Sequence, residues 1–366
     1  MKNLIRYALI SASLGACAYA APFMAIGDGA ELFVTGTLGI RADDNIYTFE
    51  TATSDVIFDV TPGLDLTFGK DSQVKGSLTL AHAFSSYSDN SKLNTNLFSG
   101  DFGTRFDDGK LKLAFNLGFH EQNQNTPDVR GLTRRDAFNA GGTAEIEISQ
   151  ITSVGGGIQF AHENYKKAGY TDSDSLTVPV DFFYKWTPKV DLSFGYRYRD
   201  YQVDIGEDSK DHFFNIGARG EFTPKLSGRF AIGLSSRKLD RTGDQNLLGW
   251  EGKLTYELSP KTRFGFGSSN DYGTTPQGQQ QKNFTLNGDV TSNISEEWSV
   301  NAGLSYRAIN YYTRTDDFIE GTLGATYIVN ANVRIVGAYV HRRNESDLAG
   351  GGFMQNVFSL AANFRY

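Results

Sequence analysis

The stretch that runs from residue 176 to residue 200 reads LTVPVDFFYKWTPKVDLSFGYRYRD. On either side of its centre, apolar side chains occupy every second position, as Phe182, Tyr184 and Trp186 do. A period of two indicates a β-strand with one apolar face, because successive side chains of a strand point to opposite faces. The central residues, Thr187-Pro188-Lys189, are typical of a tight turn. The stretch therefore predicts a β-hairpin.

The same kind of turn recurs along the chain at a nearly fixed spacing. Thr223-Pro224-Lys225 and Ser259-Pro260-Lys261 follow at intervals of 36 residues, and looser versions begin at Ser295 and Asn330. Turn-like clusters near residues 70, 108 and 149 precede the series. A fixed period indicates a repeated structural unit. Longer polar connections separate the hairpins, approximately at residues 42–54, 87–94, 121–133, 165–173, 204–210, 240–245, 273–281, 311–316 and 344–353.

Eight tight turns and nine longer connections predict eighteen strands, each with 12 to 15 alternating residues. An even strand number, with short turns at one end and longer loops at the other, is typical of bacterial outer-membrane barrels. We therefore predict an all-β fold: a single closed transmembrane antiparallel up-and-down β-barrel of about eighteen strands. It should begin near Glu31, and its last strand should pair with its first. A soluble propeller or solenoid is the alternative, but two long strands per repeat fit it less well.

The first twenty residues have the pattern of a secretory signal peptide. Lys2 and Arg6 precede a short apolar segment, and Ala18-Tyr19-Ala20 has the small residues of a cleavage site before Ala21. The sequence thus predicts a signal peptide over residues 1–20 and a barrel over residues 21–366. Leu14-Gly15-Ala16-Cys17 also resembles the lipobox of bacterial lipoproteins, so acylation of the single cysteine is the alternative.

Aromatic residues cluster at the ends of the expected strands, where transmembrane barrels carry two interfacial girdles. The turn-side girdle would comprise Phe68, Phe106, Trp186, Phe222, Tyr256, Trp298 and Tyr327. The loop-side girdle would comprise Tyr47, Tyr87, Tyr165, Tyr201, Tyr311 and Tyr312.

The polar phase of each strand should line the lumen, because the apolar phase must face lipid. Five arginines share the inward phase on the loop-side halves of their strands, and they are Arg197, Arg199, Arg237, Arg307 and Arg342. Acidic residues of the inward phase are Asp59, Asp65, Glu145, Glu147, Asp181, Glu251, Glu257 and Asp289. Two interpretations remain open. The arginines form a basic belt that attracts anionic solutes, or they pair with these carboxylates and stiffen the wall. Since no connection exceeds about 13 residues, we expect no loop to fold inward as a plug.

Other functions find little support in the sequence. His82 and His162 belong to the outward phase and His120 to the inward phase, so they cannot share a metal ion. Asp43-Asp44-Asn45 lacks the spacing of a calcium loop and is better explained as solvated loop charge. The sequence has no nucleophile elbow and no nucleotide-binding glycine motif. Its formal charge of -7 does not favour the binding of nucleic acid. We therefore predict no enzymatic activity, no cofactor and no metal.

One segment carries a family resemblance. Leu32 to Tyr47 reads LFVTGTLGIRADDNIY, an amphipathic strand that continues into an Asp-Asn loop with a hydrophobic and an aromatic residue. It resembles the opening of the outer-membrane β-barrel porins called the BBP2 type. The resemblance implies an association with exopolysaccharide synthesis and export, and a periplasmic polysaccharide export protein as a partner. The final Phe364-Arg365-Tyr366 resembles the signal read by the barrel assembly machinery.

These observations predict an integral protein of the bacterial outer membrane, in contact with outer-membrane lipid and lipopolysaccharide, that acts as a channel. The first functional hypothesis is secretion of an exopolysaccharide, which short loops and an unplugged lumen would permit. The second is diffusion of small solutes through a porin. A third is a structural barrel whose paired charges block the lumen.

Overall fold

The computed structural model describes residues 21–27, 29–125, 127–129 and 131–366, with Gln124 described only in its backbone. These residues form nineteen β-strands and one short 3-10 helix, Ser91–Leu93. The strands are β1 Met24–Ile26, β2 Ala30–Asp43, β3 Asp55–Phe68, β4 Val74–Tyr87, β5 Thr95–Asp107, β6 Leu111–Gln124, β7 Thr133–Ser149, β8 Thr152–Tyr165, β9 Ser173–Thr187, β10 Val190–Val203, β11 Ser209–Thr223, β12 Leu226–Leu239, β13 Gln245–Ser259, β14 Thr262–Thr274, β15 Gln280–Asn293, β16 Trp298–Tyr311, β17 Thr315–Ile328, β18 Val333–Ser346 and β19 Phe353–Arg365.

Strands β2 to β19 form one closed antiparallel barrel in which each strand pairs with the next along the chain. The ring closes where β19 pairs with β2, from Val357 opposite Asp43 to Arg365 opposite Thr35. The predictions of eighteen barrel strands, of a start near Glu31 and of closure by the last strand are confirmed. The short strand β1, which the sequence analysis did not predict, pairs with the first three residues of β2 below the point where β19 ends.

Five of the tight turns share one hydrogen-bonding pattern, which explains why Thr, Ser or Asn recurs at the same position in them. In the turn after β9, the Thr187 hydroxyl accepts hydrogen bonds from the backbone N–H groups of Lys189 and Val190. Thr223 Oγ1, Ser259 Oγ, Ser295 Oγ and Asn330 Oδ1 accept equivalent bonds in the later turns. In the turn after β5, backbone donors of Leu111 and Lys110 hold the pKa of Asp108 below its usual value. A hydroxyl or a short polar side chain at this position therefore fixes the start of each returning strand.

The two faces of the barrel differ as the alternation predicts. Leu234 is 69% exposed on the outer face, whereas Ser235, which follows it, is 1% exposed and points inward. Large apolar side chains cover the outer surface in the same way on the other strands, as Phe214 and Leu304 do. No helix of the described residues is long and apolar enough to cross a membrane.

The turn-side aromatic residues lie on the outer surface, where Trp298 and Tyr327 pack with their ring centroids 4.8 Å apart. On the loop side the prediction of a girdle is wrong for four tyrosines. Tyr87 and Tyr311 are buried, and the hydroxyls of Tyr165 and Tyr201 donate to Glu163 and Ser173. These tyrosines belong to the inward phase of their strands, and their rings fill the barrel mouth instead of facing lipid.

Candidate functional site: the loop-side mouth

Charged side chains on the inner wall meet near the loop-side end of β10 to β14. Arg197 forms ion pairs with Glu251 at 3.0 Å and with Asp271 at 2.9 Å. Arg199 pairs with the same Asp271 at 3.1 Å. Asp211 accepts from Arg199 at 2.7 Å, and from Arg237 at 2.6 Å. We call these six residues the mouth network: Arg197, Arg199, Asp211, Arg237, Glu251 and Asp271. Its three guanidinium groups face three carboxylates.

The mouth network holds the end of the β14–β15 hairpin inside the barrel. Strand β13 pairs with β14 only from Trp250 onward, so the hairpin end separates from the wall above that point. The Arg237 guanidinium lies over the ring of Tyr272, 4.7 Å from its centroid, and donates to the carbonyl of Gly273 at 2.8 Å. Arg199 donates to the carbonyl of Tyr272 at 3.0 Å. The arginines thus act as anchors for a segment that leans across the mouth.

The connection between β6 and β7, residues 125–132, of which the structure describes 125, 127–129, 131 and 132, also reaches across the mouth. Asp128 forms an ion pair with Arg307 at 2.8 Å, and it accepts from the hydroxyl of Tyr311 at 2.9 Å, both on β16. Tyr170, in the connection between β8 and β9, donates its hydroxyl to the carbonyl of Val129. The expectation that no loop would fold inward is therefore wrong. Eight residues suffice, because inward side chains of the opposite wall and neighbouring connections extend to meet them.

The connection between β2 and β3, residues 44–54, fills a third part of the mouth. Ile46 is 1% exposed and packs against Ile57 and Tyr87, two inward side chains of the wall. The amide of Asn45 donates to the carbonyls of Phe49 and Met354, each at 2.8 Å.

The segment Asp43-Asp44-Asn45 is consequently not solvated loop charge as a whole, since Asp43 and Asn45 are buried. The carboxylate of Asp43 accepts from Gln355 at 2.8 Å, and Asp44 accepts from the backbone N–H of Asn356 at 2.6 Å. The segment that carries the family resemblance is therefore the attachment of an inward loop to the closing strand β19.

Three further connections meet at the mouth. The backbone N–H of Thr171 donates to the carbonyl of Pro276 at 2.8 Å, and its hydroxyl accepts from the N–H of Ile205 at 2.8 Å. We call the five connections that meet here the roof, and they are residues 44–54, 125–132, 166–172, 204–208 and 275–279. The roof spans from β2 to β15, so it narrows the loop-side entrance.

The remaining predicted lumenal residues lie apart from the mouth network. Arg342 pairs with Glu320 at 2.6 Å on a different part of the wall. Near the turn-side end, Glu145 pairs with Arg219 at 2.6 Å beside a cavity of about 110 Å³ that Glu147 also lines. The carboxylate of Asp181 lies against Gly195, where an added Cβ would come within 2.3 Å of it. Asp289 is exposed on the same face of the wall.

The arginine–carboxylate pairing agrees with the second interpretation of the lumenal charges, since each of the five predicted arginines contacts at least one carboxylate. Four partners were not predicted from the sequence. Asp211, Asp271 and Glu320 have the inward phase of their strands, so the alternation could have placed them. Asp128 lies in a connection, where no alternation exists to indicate its direction.

A closed barrel of eighteen strands with an apolar outer face, a charged interior and a narrowed mouth defines a membrane channel of the porin class. Among the described residues, no group of three or more His, Cys, Asp or Glu side chains could hold a metal ion.

Comparisons with known proteins agree with this class. Residues 207–366 match the family model described as "Putative beta-barrel porin 2", which confirms the family resemblance over that part of the chain. The outer membrane proteins OpdK and OpdQ of Pseudomonas aeruginosa each match with a TM-score of 0.50 and 11% identity. These matches cover 92% and 93% of this chain, and 99% of each neighbour, and they show the fold alone.

A structure described as "Bacterial polysaccharide outer membrane secretin" covers 93% of this chain and 100% of its own, with 11% identity and a TM-score of 0.40, too low to carry an argument. A search of curated proteins found no match. The chain has the fold of an outer-membrane β-barrel, its residues 207–366 are similar to β-barrel porins, and its location is the bacterial outer membrane.

Proposed function

We propose that the protein is a diffusion channel for small solutes whose entrance is narrowed by the roof. The observation that carries this proposal is the ion pair between Asp128 of the connection 125–132 and Arg307 on β16. It joins two parts of the mouth, so a long polymer would have to displace the roof. Eighteen strands leave room for an aqueous channel beneath.

Secretion of an exopolysaccharide is the second candidate, with a periplasmic polysaccharide export protein as its partner. It rests on the family resemblance. The argument from an unplugged lumen no longer supports it, because the roof occupies the mouth. One observation still favours it: the roof is held largely by ion pairs and hydrogen bonds, which water can replace when the loops separate. An exporter would need such a separation for a polymer to pass.

The test compares the wild type with a variant whose roof is loosened, Asp128→Asn together with Asp271→Asn. Purified protein is placed in planar bilayers for conductance and in liposomes for swelling with sugars of increasing size. We expect discrete conductance steps and passage of small sugars in the wild type. The variant should show larger steps and a higher size limit, because both substitutions weaken attachments of the roof. Asp191→Asn removes a carboxylate paired with Arg219 at the turn-side end, and it serves as the matched control.

Two results would contradict the proposal. A correctly folded barrel without conductance would support the structural, blocked-lumen alternative. Passage of a long polymer through the wild type at a rate comparable to that of a disaccharide would favour secretion.

A further inference from the structure

Two lysines lie side by side on the outer face of the barrel near its loop-side end. Lys210 on β11 is directly opposite Lys238 on β12 in the strand register. Both side chains are exposed, whereas the residues that follow and precede them, Asp211 and Arg237, are buried on the inner face. The alternation of burial therefore places both ammonium groups outside the barrel.

This arrangement is unfavourable unless an anion is near. Like charges directly opposite each other on one face of an antiparallel pair destabilise the sheet. Among the described residues, neither lysine has an ion pair or a hydrogen bond. Asp200 is opposite Lys210 on its other side, on β10, but no ion pair joins them.

Two other basic residues of the loop-side outer rim are neutralised by the protein itself. Arg134 pairs with Glu121 at 2.9 Å, and Lys166 pairs with Asp136 at 2.8 Å. The contrast indicates that the Lys210–Lys238 pair receives its counter-charge from outside the chain.

The height of the two lysines fits the headgroup layer of the membrane. Phe214 and Leu234 follow four residues away on the same outer face, at 61% and 69% exposure, and belong to the apolar band. Four residues span about 13 Å along a strand. The lysines therefore lie just beyond the apolar band, on the side that carries the longer connections. In bacterial barrels that side faces the cell exterior, because the short turns are periplasmic.

We propose that Lys210 and Lys238 bind the phosphate groups of lipid A in the outer leaflet. Two ammonium groups that converge on one phosphate form charge-assisted hydrogen bonds, which replace the missing intramolecular partner and remove the repulsion between the lysines. The site lies on the outer wall, so it is independent of what passes through the lumen.

The test measures lipid A binding to the full-length barrel in detergent by native mass spectrometry at low salt. The variant Lys210→Gln/Lys238→Gln should lose about tenfold or more in affinity for bisphosphorylated lipid A, because two charge-assisted contacts disappear. Lys210→Arg/Lys238→Arg keeps the charge and should retain binding. Lys225→Gln/Lys261→Gln changes the same number of lysines at the turn-side rim and is the matched control. Heat-modifiable migration in gels verifies that every variant is folded.

Binding by the wild type should weaken as salt rises and after removal of the lipid A phosphates. Equal binding by the wild type and the Gln variant would overturn the proposal. So would wild-type binding that does not depend on the phosphates, or binding of phosphatidylglycerol as tight as that of lipid A.

Discussion

Asp211 shows how a single carboxylate organises the mouth of the barrel. It accepts hydrogen bonds from two arginines of neighbouring strands, Arg199 and Arg237, and these arginines hold the β14–β15 hairpin end. Arg237 is 1% exposed, so little water is available to replace a lost partner. Asp211 therefore supplies the counter-charge for one buried guanidinium group, that of Arg237, and for the partly buried one of Arg199.

We predict that Asp211→Ala lowers the free energy of unfolding by about 3–5 kcal/mol, because it leaves a buried arginine without its partner. Equilibrium unfolding in urea with the barrel in lipid vesicles, followed by tryptophan fluorescence, measures the change.

The control for this prediction is Asp289→Ala. Asp289 is an exposed carboxylate on the inner wall of β15 without an ion pair among the described residues, so its loss should change the free energy of unfolding by less than about 0.5 kcal/mol. If both variants unfold at the same urea concentration as the wild type, Asp211 does not have the structural role assigned to it.

At the level of elements, the strands and the connections differ in how well sequence foretells them. All eighteen barrel strands followed from a period of two and from recurring turns such as Thr187-Pro188-Lys189. The observed connections also lie where they were expected, although they are shorter, as 125–132 is compared with 121–133. The inward fold of these connections was not predicted. It depends on contacts such as that of Asp128 with Arg307, two residues that lie 179 positions apart in the sequence. No local pattern reports such a pairing.

The elements of the mouth also set the expected ion selectivity. Replacing Arg197, Arg199 and Arg307 with Gln keeps hydrogen-bond donors but leaves Glu251, Asp271 and Asp128 without their counter-charges. We predict a shift of the reversal potential toward cation preference, measured in planar bilayers across a KCl gradient. The shift should decrease as salt rises, because mobile ions screen the uncompensated carboxylates.

Lys225→Gln, at a turn outside the lumen, controls for the loss of charge as such and should leave the reversal potential unchanged. If the triple variant behaves like this control, then the mouth network does not contribute to the field that a permeating ion experiences, and the arginines serve the wall alone.

For the molecule as a whole, alternation and turn spacing were sufficient to predict a closed barrel, because every strand has one face toward lipid and one toward the lumen. They assigned Arg197 and Arg237 to the inward phase, and both side chains form ion pairs with carboxylates of other strands. They did not reveal β1, since three residues, Met24–Ile26, are too few to show a period. This strand matters for closure, because it covers the edge of β2 that β19 leaves free.

The processing of the whole chain remains a prediction, because residues 1–20 lie outside the described residues. We expect protein purified from outer membranes to begin at Ala21, three residues before β1. Intact-mass measurement tests this, since an acyl group on Cys17 would add the mass of the lipid and of the intervening residues. Detection of the acylated species would show that the chain is processed as a lipoprotein and not by ordinary signal-peptide cleavage.

The turns that a hydroxyl group fixes relate the circumference of this barrel to the number of its repeated hairpins. Lys189, Lys225 and Lys261 of successive turns each accept a backbone hydrogen bond from the next hairpin, so these hairpins make the same junction with their neighbours. Removing or duplicating a 36-residue unit would therefore change the number of strands by two and keep this type of junction at the turn-side end. The wall is modular, whereas the roof is not, since its loops recognise particular partners across the opening. A barrel with two strands more or fewer would keep its tight turns, but the loops of the roof would no longer meet their partners.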